Sequence, residues 1–447
     1  MSEILRQGAH IGVGVFALLF AVLPAWACLV MAGIALVHNT FVLPRYARIL
    51  WRNQDHRRGY SPGVIAYSVT LILLCVFFWN RPDIGAFGWG VLAFGDGFAT
   101  IAGRTIRGPR LPWNPAKSWV GFVTFALAST GAGYFLASLV RAHAAVLGDL
   151  PSGNLLTACI AGGILGAIIE SLPSSLDDNI SAPLAAAAMF ALVDSWDAAS
   201  WSHAQTAVQA SALPMLGLSL FLGTIAWQTK TVTWSGFVGG VALTFVVAAC
   251  GGPHLFAGLL AFWITAQGAT RIGWKFKSGH GIAQSRSGRR EASHAFAKLG
   301  IPALLAVVGR ASPDPRPYDL AALSALGAAA CDTVATEIGQ LSKKRPRRLP
   351  RLRPVPPGTP GGMTLLGWAA GILAAVLVFI VASFFGGPGF GLLSLILSAA
   401  VMACLVESFL GALLIPRGLM GKGMLNLVLS ATAAWLAWTL AASAPMG

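Results

Sequence analysis

The chain has 447 residues, 56% of them hydrophobic and only 11% charged, with a formal net charge of +15. A soluble protein of this length carries about twice that share of charge, so composition excludes a soluble globular enzyme. No nucleic-acid motif accompanies the positive charge, which points instead to anionic lipid headgroups and phosphate-bearing substrates.

Apolar segments fall at roughly 9–29, 30–44, 63–80, 84–103, 118–140, 155–171, 180–195, 207–228, 232–250, 252–270, 296–310, 318–340, 363–385, 389–415 and 423–443. With some of the short ones read as re-entrant or paired half-helices, this predicts an all-α, polytopic integral membrane protein of about 13 transmembrane helices in two bundles. Ala25-Trp-Ala27 resembles a leader cleavage site. Only Arg6 precedes that apolar run, however, and the run continues to Val37, so it reads as a retained first span. The six cysteines (28, 75, 159, 250, 331, 404) are far apart in apolar segments without C-x-x-C spacing and read as core residues.

Loops 45–58, 104–117, 271–290 and 343–353 hold 22 of the 31 Lys and Arg. Placing 45–58 in the cytoplasm and alternating the spans brings the other three to the same side, as the positive-inside rule asks. The opposite loops, such as 81–83 and 141–154, are short or nearly neutral.

Arg6 and His10 sit at i and i+4 on the first helix, spaced to reach one polar pocket. The stretch Gly95-Asp96-Gly97 through Thr100, Gly103 and Arg104 places an acid in an apolar span. Asp96, Thr100 and Gly103 share one helical stripe, and an ionisable group at membrane depth usually faces a polar cavity, a partner or an ion. The nearby glycines leave room for a ligand or another backbone. Arg104, Arg107, Arg110 and Lys117 follow as cations, with Ser118 beside the lysine. Carboxylate and cations beside lipid suit a Mg²⁺-bound phosphate; a single Asp–Arg pair tying two helices is the alternative. Glu170, Asp177, Asp178 and Asn179 then form a cluster of hard oxygen ligands suited to Mg²⁺, or a helix start capped by Asp178 or Asn179.

Arg6-x-x-x-His10, G-D-G-x-A-x-x-x-G-R at 95–104, P-x-K-S-x-x-G at 115–121 and E-S-L-P…D-D-N…P at 170–183 together resemble the phytol kinase/dolichol kinase family over about residues 1–195. The G-D…G-R…K-S portion is also similar to phosphatidate cytidylyltransferases. The kinase resemblance implies CTP-preferring phosphorylation of an isoprenoid alcohol, with Asp96, Lys117, Glu170, Asp178 and Asn179 at a nucleotide–metal site.

Residues 196–206 read as a seam between a domain of 1–200 and one of 201–447. Beyond it, Asp332-Thr333-Val-Ala-Thr336-Glu337 puts four polar groups on an arc of about 140° in a segment otherwise made of small apolar residues. Gly358, Thr359, Gly361 and Gly362 are placed to form an anion nest opening a helix, or a flexible loop with a cap. Lys275, Lys277, Arg289 and Arg290 offer phosphate contacts, with Glu407-Ser408 and Asn426 near the same face. D-T-x-A-T-E-x-G, P-P-G-T-x-G-G, K-x-x-x-G-I-A-Q…G-R-R and E-S-x-L-G-A resemble the phytyl-phosphate kinase family over about 207–445, with Glu407 where that family is expected to carry Asp.

The reading is a bifunctional membrane lipid kinase. It converts a prenyl alcohol to the monophosphate and then the diphosphate, using CTP or another NTP with Mg²⁺. Asp96, Asp178, Asp332 and Glu337 are the catalytic candidates. Asp96, Glu170, Asp178, Asp332 and Glu337 are the metal candidates. Gly95, Gly97, Arg104, Lys117, Ser118, Asn179 and the second-half glycines and cations bind nucleotide and phosphate. A CDP-lipid-forming cytidylyltransferase and a lipid transporter or scramblase are the alternatives.

Overall fold

The computed structural model describes residues 2–46, 55–56, 60–106, 108–144, 154–172, 177–282, 288–312, 314–416 and 420–443. Arg107, Arg286, the Ala283-Gln284 pair and most of loop 45–58 lie outside them. The protein is all-helical apart from one three-stranded sheet, and ten described helices are long and apolar enough to cross a membrane. About thirteen were expected. Two shorter apolar helices, Pro62–Phe77 and Leu155–Ser171, fall below span length. Some expected spans also break elsewhere. α1 (Ser2–Val13) runs into a 3₁₀ segment, Gly14–Ala21, and α2 (Ala25–Val37) starts after Pro24. Proline fixes an extended entry there and has no amide to donate, so the break falls at Pro24 and not between 29 and 30.

The chain divides into two compact units, Met1–Asp197 and Ala198–Gly447. In the first unit α3 (Pro62–Phe77), α4 (Pro82–Gly90), α5 (Asp96–Thr105), α6 (Trp119–Ala144), α7 (Leu155–Ser171) and α8 (Asp178–Asp194) follow α1 and α2. α4 and α5 are one span joined by a π segment, Val91–Gly95. This span is the unit's axis: Phe87 is fully buried, and a Cβ on Gly133 or Gly162 would collide with its ring. Small residues thus let α6 and α7 close on it.

The second unit comprises α9 (Ala198–Gln228), α10 (Trp234–Arg271), α11 (Trp274–Gly279), α12 (Ala292–Ala311), α13 (Arg316–Gly339), α14 (Leu365–Phe384), α15 (Leu393–Leu414) and α16 (Lys422–Ser443). Residues 198–206, expected as a seam, are helical. α10 breaks at Gly252, φ 76° and ψ −175°, before Pro253. Its first arm meets α12 at Gly239–Ala292 and Cys250–Arg310. Its second meets α13 at His254–Asp319 and at Gly258–Leu323. Since Lys298 of α12 faces Asp332 of α13, those two helices are antiparallel, and the arms of α10 therefore form a hairpin.

α13 is the axis here. Leu320 to Cys331 are all buried, and its alanines admit α14 so closely that Gly367 and Gly371 lie on the carbonyls of Ala335 and Cys331. The two axial spans, Pro82–Thr105 and Arg316–Gly339, are the most buried of the ten, at 67% and 78% of their apolar windows. Each carries an acid, Asp96 or Asp332, within its second half. The small sheet, β1 (Arg347–Arg348) between β2 (Arg353–Pro354) and β3 (Gly362–Met363), is antiparallel, with Arg347 opposite both Pro354 and Met363.

Candidate functional site

In the first unit a cavity of about 860 Å³ collects the polar residues of α1, α5, the loop before α6, and the facing ends of α7 and α8. From α5 it takes Asp96, Thr100, Gly103 and Arg104, the stripe expected from the sequence. Arg6 and His10 enter from α1, and His10 Nε2 lies 2.8 Å from the Leu92 carbonyl and 3.6 Å from Asp96 Oδ2. A π segment supplies Leu92, and such segments recur at functional sites because they re-aim the following turn. Gly95 and Gly97 serve packing: a Cβ on the first would strike Ser129 of α6, and on the second Ile11 of α1.

Lys117 arrives on a tight loop. Arg110 pairs with Ser118, and the Leu111 amide donates to the Lys117 carbonyl at 3.0 Å. Trp113 Nε1 and Asn114 Nδ2 donate to the Ser171 hydroxyl and carbonyl at the end of α7. The loop therefore carries Lys117 to Glu170. Its Nζ donates to Glu170 Oε1 at 2.6 Å, to the Glu170 carbonyl, and to Asp178 Oδ2 at 3.2 Å. Burial works to lower the Lys117 pKa, but the Glu170 and Asp178 carboxylates outweigh it and hold the ammonium above its ordinary value. Lys117 is thus tied into the structure as well as being a phosphate-binding candidate.

The cap of α8 is Asp177, not Asp178 or Asn179: Asp177 Oδ1 accepts from the Asn179 amide at 3.0 Å and from Asn179 Nδ2 at 2.7 Å. Asp178 is left 49% exposed towards the cavity. Among the described residues no three His, Cys, Asp or Glu side chains gather to hold a metal ion. Mg²⁺ takes one or two carboxylates and shares phosphate oxygens. Glu170 and Asp178 supply two such carboxylates, both turned to the Lys117 ammonium in this structure. The opposite wall, with Val13, Phe16, Met31 and Ala35, is apolar.

The other ends of α4, α6 and α8 hold a feature that the sequence reading missed. Arg81 and Arg141 both donate to Asp83 and Asp194, at 2.6–3.0 Å, and the two acid side chains are fully buried. Loops 81–83 and 141–154 looked nearly neutral because Arg81 is offset by Asp83 and Arg141 by Asp149 within each loop, which masks the quartet's link to Asp194.

In the second unit Asp332 Oδ2 accepts from Lys298 Nζ at 2.8 Å, which also donates to Thr333 at 2.7 Å. Lys298 and Lys422 both act electrostatically on Asp332, and Glu407 sits within range of all three. Asn426 is buried. Lys277, expected as a phosphate contact, is fully buried, with Nζ 2.5 Å from Glu337 Oε2 and 2.9 Å from the Ala269 carbonyl. Lys275 and Arg289 are exposed. Gly358 and Gly361 have φ of 84° and 73°. Gly361 lies against the Ser408 carbonyl of α15, and the amides of Thr359 and Gly362 donate to carbonyls within the loop. Lys298 and Lys422 escaped the sequence reading because each is a lone lysine without a motif. The cysteines are free, as expected, and five of the six are buried.

The integral membrane protein family DUF92 matches residues 217–434. An uncharacterized membrane protein of Synechocystis sp. is 33% identical over 211 residues, 46% of this chain and 80% of the relative. Phytol kinase 1, chloroplastic, of Arabidopsis thaliana is 29% identical over 161 residues, 35% of this chain and 50% of that protein. Farnesol kinase, chloroplastic, of the same plant is 28% identical over 163 residues, 36% and 50% respectively. The chain thus spans about half the length of these two kinases. No solved structure matches it.

Proposed function

We propose that this chain, which belongs to the integral membrane protein family DUF92, is a multi-pass membrane kinase that phosphorylates a prenyl alcohol and then the resulting monophosphate. The observation that carries this is the first unit's cavity. Its apolar wall suits an isoprenoid chain, and its polar end gathers Asp96, His10, Arg6, Arg104, Lys117, Glu170 and Asp178. Similarity to phytol and farnesol kinases supports the substrate class. A transporter would not need cations and carboxylates gathered at one end of a cavity with an apolar wall.

In the first reaction the alcohol oxygen attacks the terminal phosphorus of a nucleoside triphosphate, CTP by resemblance, while the bond to the bridging oxygen breaks and the nucleoside diphosphate leaves. The hydroxyl proton passes to Asp96, whose partner His10 stands 3.6 Å away. Arg6, Arg104 and Lys117 hold the phosphates, since this chemistry is mainly positioning and charge neutralisation. Mg²⁺, when bound, neutralises phosphate oxygens, and Glu170 with Asp178 would hold it. In the second unit Asp332, Lys298 and Lys422 play the corresponding parts on the monophosphate. Glu337, closed into its pair with Lys277, supports the fold of that site. Linking the two sites raises the effective concentration of a detergent-like intermediate.

Membranes containing the protein, labelled geranylgeraniol or phytol and each NTP in turn, followed by separation of mono- and diphosphate, test this. Neither product with any NTP rejects the kinase; pyrophosphate release with a CDP-lipid product identifies a cytidylyltransferase instead. Positive charge in loops 104–117, 271–290 and 343–353 supports active sites on the cytoplasmic side. Labelling of single cysteines in those loops from outside intact cells would reverse that assignment.

A further inference from the structure

Between α9, α10 and α12 of the second unit lies a slot of about 110 Å³, reached by Arg290, the second arginine of the G-R-R stretch. Leu222, Phe237, Val241, Leu260, Trp263 and Leu299 make its walls apolar. One end is polar, with Arg290 and Lys298, and Glu291 and His294 share it. The Arg290 backbone is fixed: its amide donates to the Thr231 carbonyl at 2.9 Å, and its carbonyl accepts from the Thr233 amide at 3.0 Å. Its Nη2, by contrast, is buried without a hydrogen-bond partner. A buried guanidinium donor left unsatisfied is costly, and a bound anion would satisfy it. Lys298 connects this end to the acid, because its Nζ contacts both Asp332 and Thr333.

We propose that the slot binds a single-chain phosphate ester, with Arg290 and Lys298 on the phosphate and the first part of the chain between α9 and α10. The inference rests on the reading of the second unit as a prenyl-phosphate kinase and gives that unit its acceptor subsite. The phosphate arrives beside Asp332, where a second phosphoryl group would be added. Gly240 lines the slot, and a Cβ built on it meets nothing within 4 Å. A Cβ fits there without displacing a neighbour, and a longer side chain would project into the slot.

The test uses the full chain in nanodiscs without nucleotide, and compares binding of labelled geranylgeranyl monophosphate and geranylgeraniol. The wild type should prefer the monophosphate. Arg290→Gln should lose that preference by about tenfold or more and keep its affinity for the alcohol. Because the guanidinium also acts electrostatically on Glu337 and Asp332, some thermal stability should be lost, and Arg290→Lys, which keeps that charge, should retain stability and part of the preference. Gly240→Leu should weaken both ligands. A folded Arg290→Gln protein that binds the monophosphate like wild type overturns the proposal. So does competition by phosphatidic acid as strong as that by unlabelled geranylgeranyl monophosphate, which would make the slot a bilayer-lipid site. The two readings fail separately. A protein that binds as described yet forms no diphosphate on adding nucleotide keeps the subsite and rejects the kinase. Diphosphate formation by Arg290→Gln at an unchanged KM for the monophosphate does the reverse.

Discussion

In the first unit Asp96, Lys117, Glu170 and Asp178 surround an open cavity, and Asp178 is half exposed to it. In the second, Asp332 and Glu337 are each held by a lysine, with at most 15% of any of the four side chains exposed. On the proposed reading the open arrangement would hold a nucleotide and an alcohol together, with carboxylates that need a cation nearby. The closed one places its charges in advance, so a ligand that already carries phosphate meets a preformed field. Similar residue types on the two axial helices thus give different electrostatics, because burial and not composition sets the strength of each pair.

Breaking the most enclosed pair should have the largest effect. Lys277→Met leaves Glu337 buried and uncompensated, which should cost about 3–5 kcal/mol. Adding Glu337→Leu should recover most of it, as measured by thermal unfolding in detergent. No loss in the single variant would mean that the pair is open to water.

Next come the two acids that define the comparison. Asp96→Asn should lower monophosphate formation about a hundredfold or more and leave supplied monophosphate convertible to diphosphate. Asp332→Asn should accumulate monophosphate. Mixing the two variants in one membrane should restore diphosphate. If either substitution stops both steps in a folded protein, the chain has one composite site.

Lys117→Ala should act on both sides of the ledger. It removes a phosphate contact and leaves Glu170 without its cation, costing about 1–3 kcal/mol. Lys117→Ala combined with Glu170→Gln should regain stability without regaining activity. Recovery of both would make Lys117 a structural residue.

The smallest expected effect is on pH dependence. The folded-state pKa of Lys117 is raised, so its stabilising contribution is fully present below the unfolded value and is lost only as pH rises through the folded one. The stability difference between wild type and Lys117→Ala should therefore hold from the pH at which Glu170 is fully ionised up to about 10. A decline beginning near pH 8 would show that Glu170 and Asp178 do not hold the ammonium.

Helices and the first cavity were readable because local rules governed them. Hydrophobic length marked α14, α15 and α16 to within a few residues, and helical spacing put Asp96, Thr100 and Gly103 on one wall. Lys117 stood out through its proline-bounded loop. The quartet was hidden because its members come from three helices up to 113 residues apart. Lys298 was hidden because its partner is 34 residues away on another helix. The role of Lys277 was misread because its neighbours Lys275 and Arg289 are exposed and nothing local marks the one that turns inward. Gly95 and Gly97 look like ligand-binding glycines until the side chains opposite them are seen.

The quartet has a consequence for the order in which the first unit is completed during synthesis. Arg81, Asp83 and Arg141 emerge first and together carry one surplus positive charge. The balancing carboxylate, Asp194, lies at the end of α8, three residues before the unit closes at Asp197. Until α8 docks, two guanidiniums share a single acid in a place that becomes fully buried. The last helix of the unit in chain order is therefore the one that neutralises its interior.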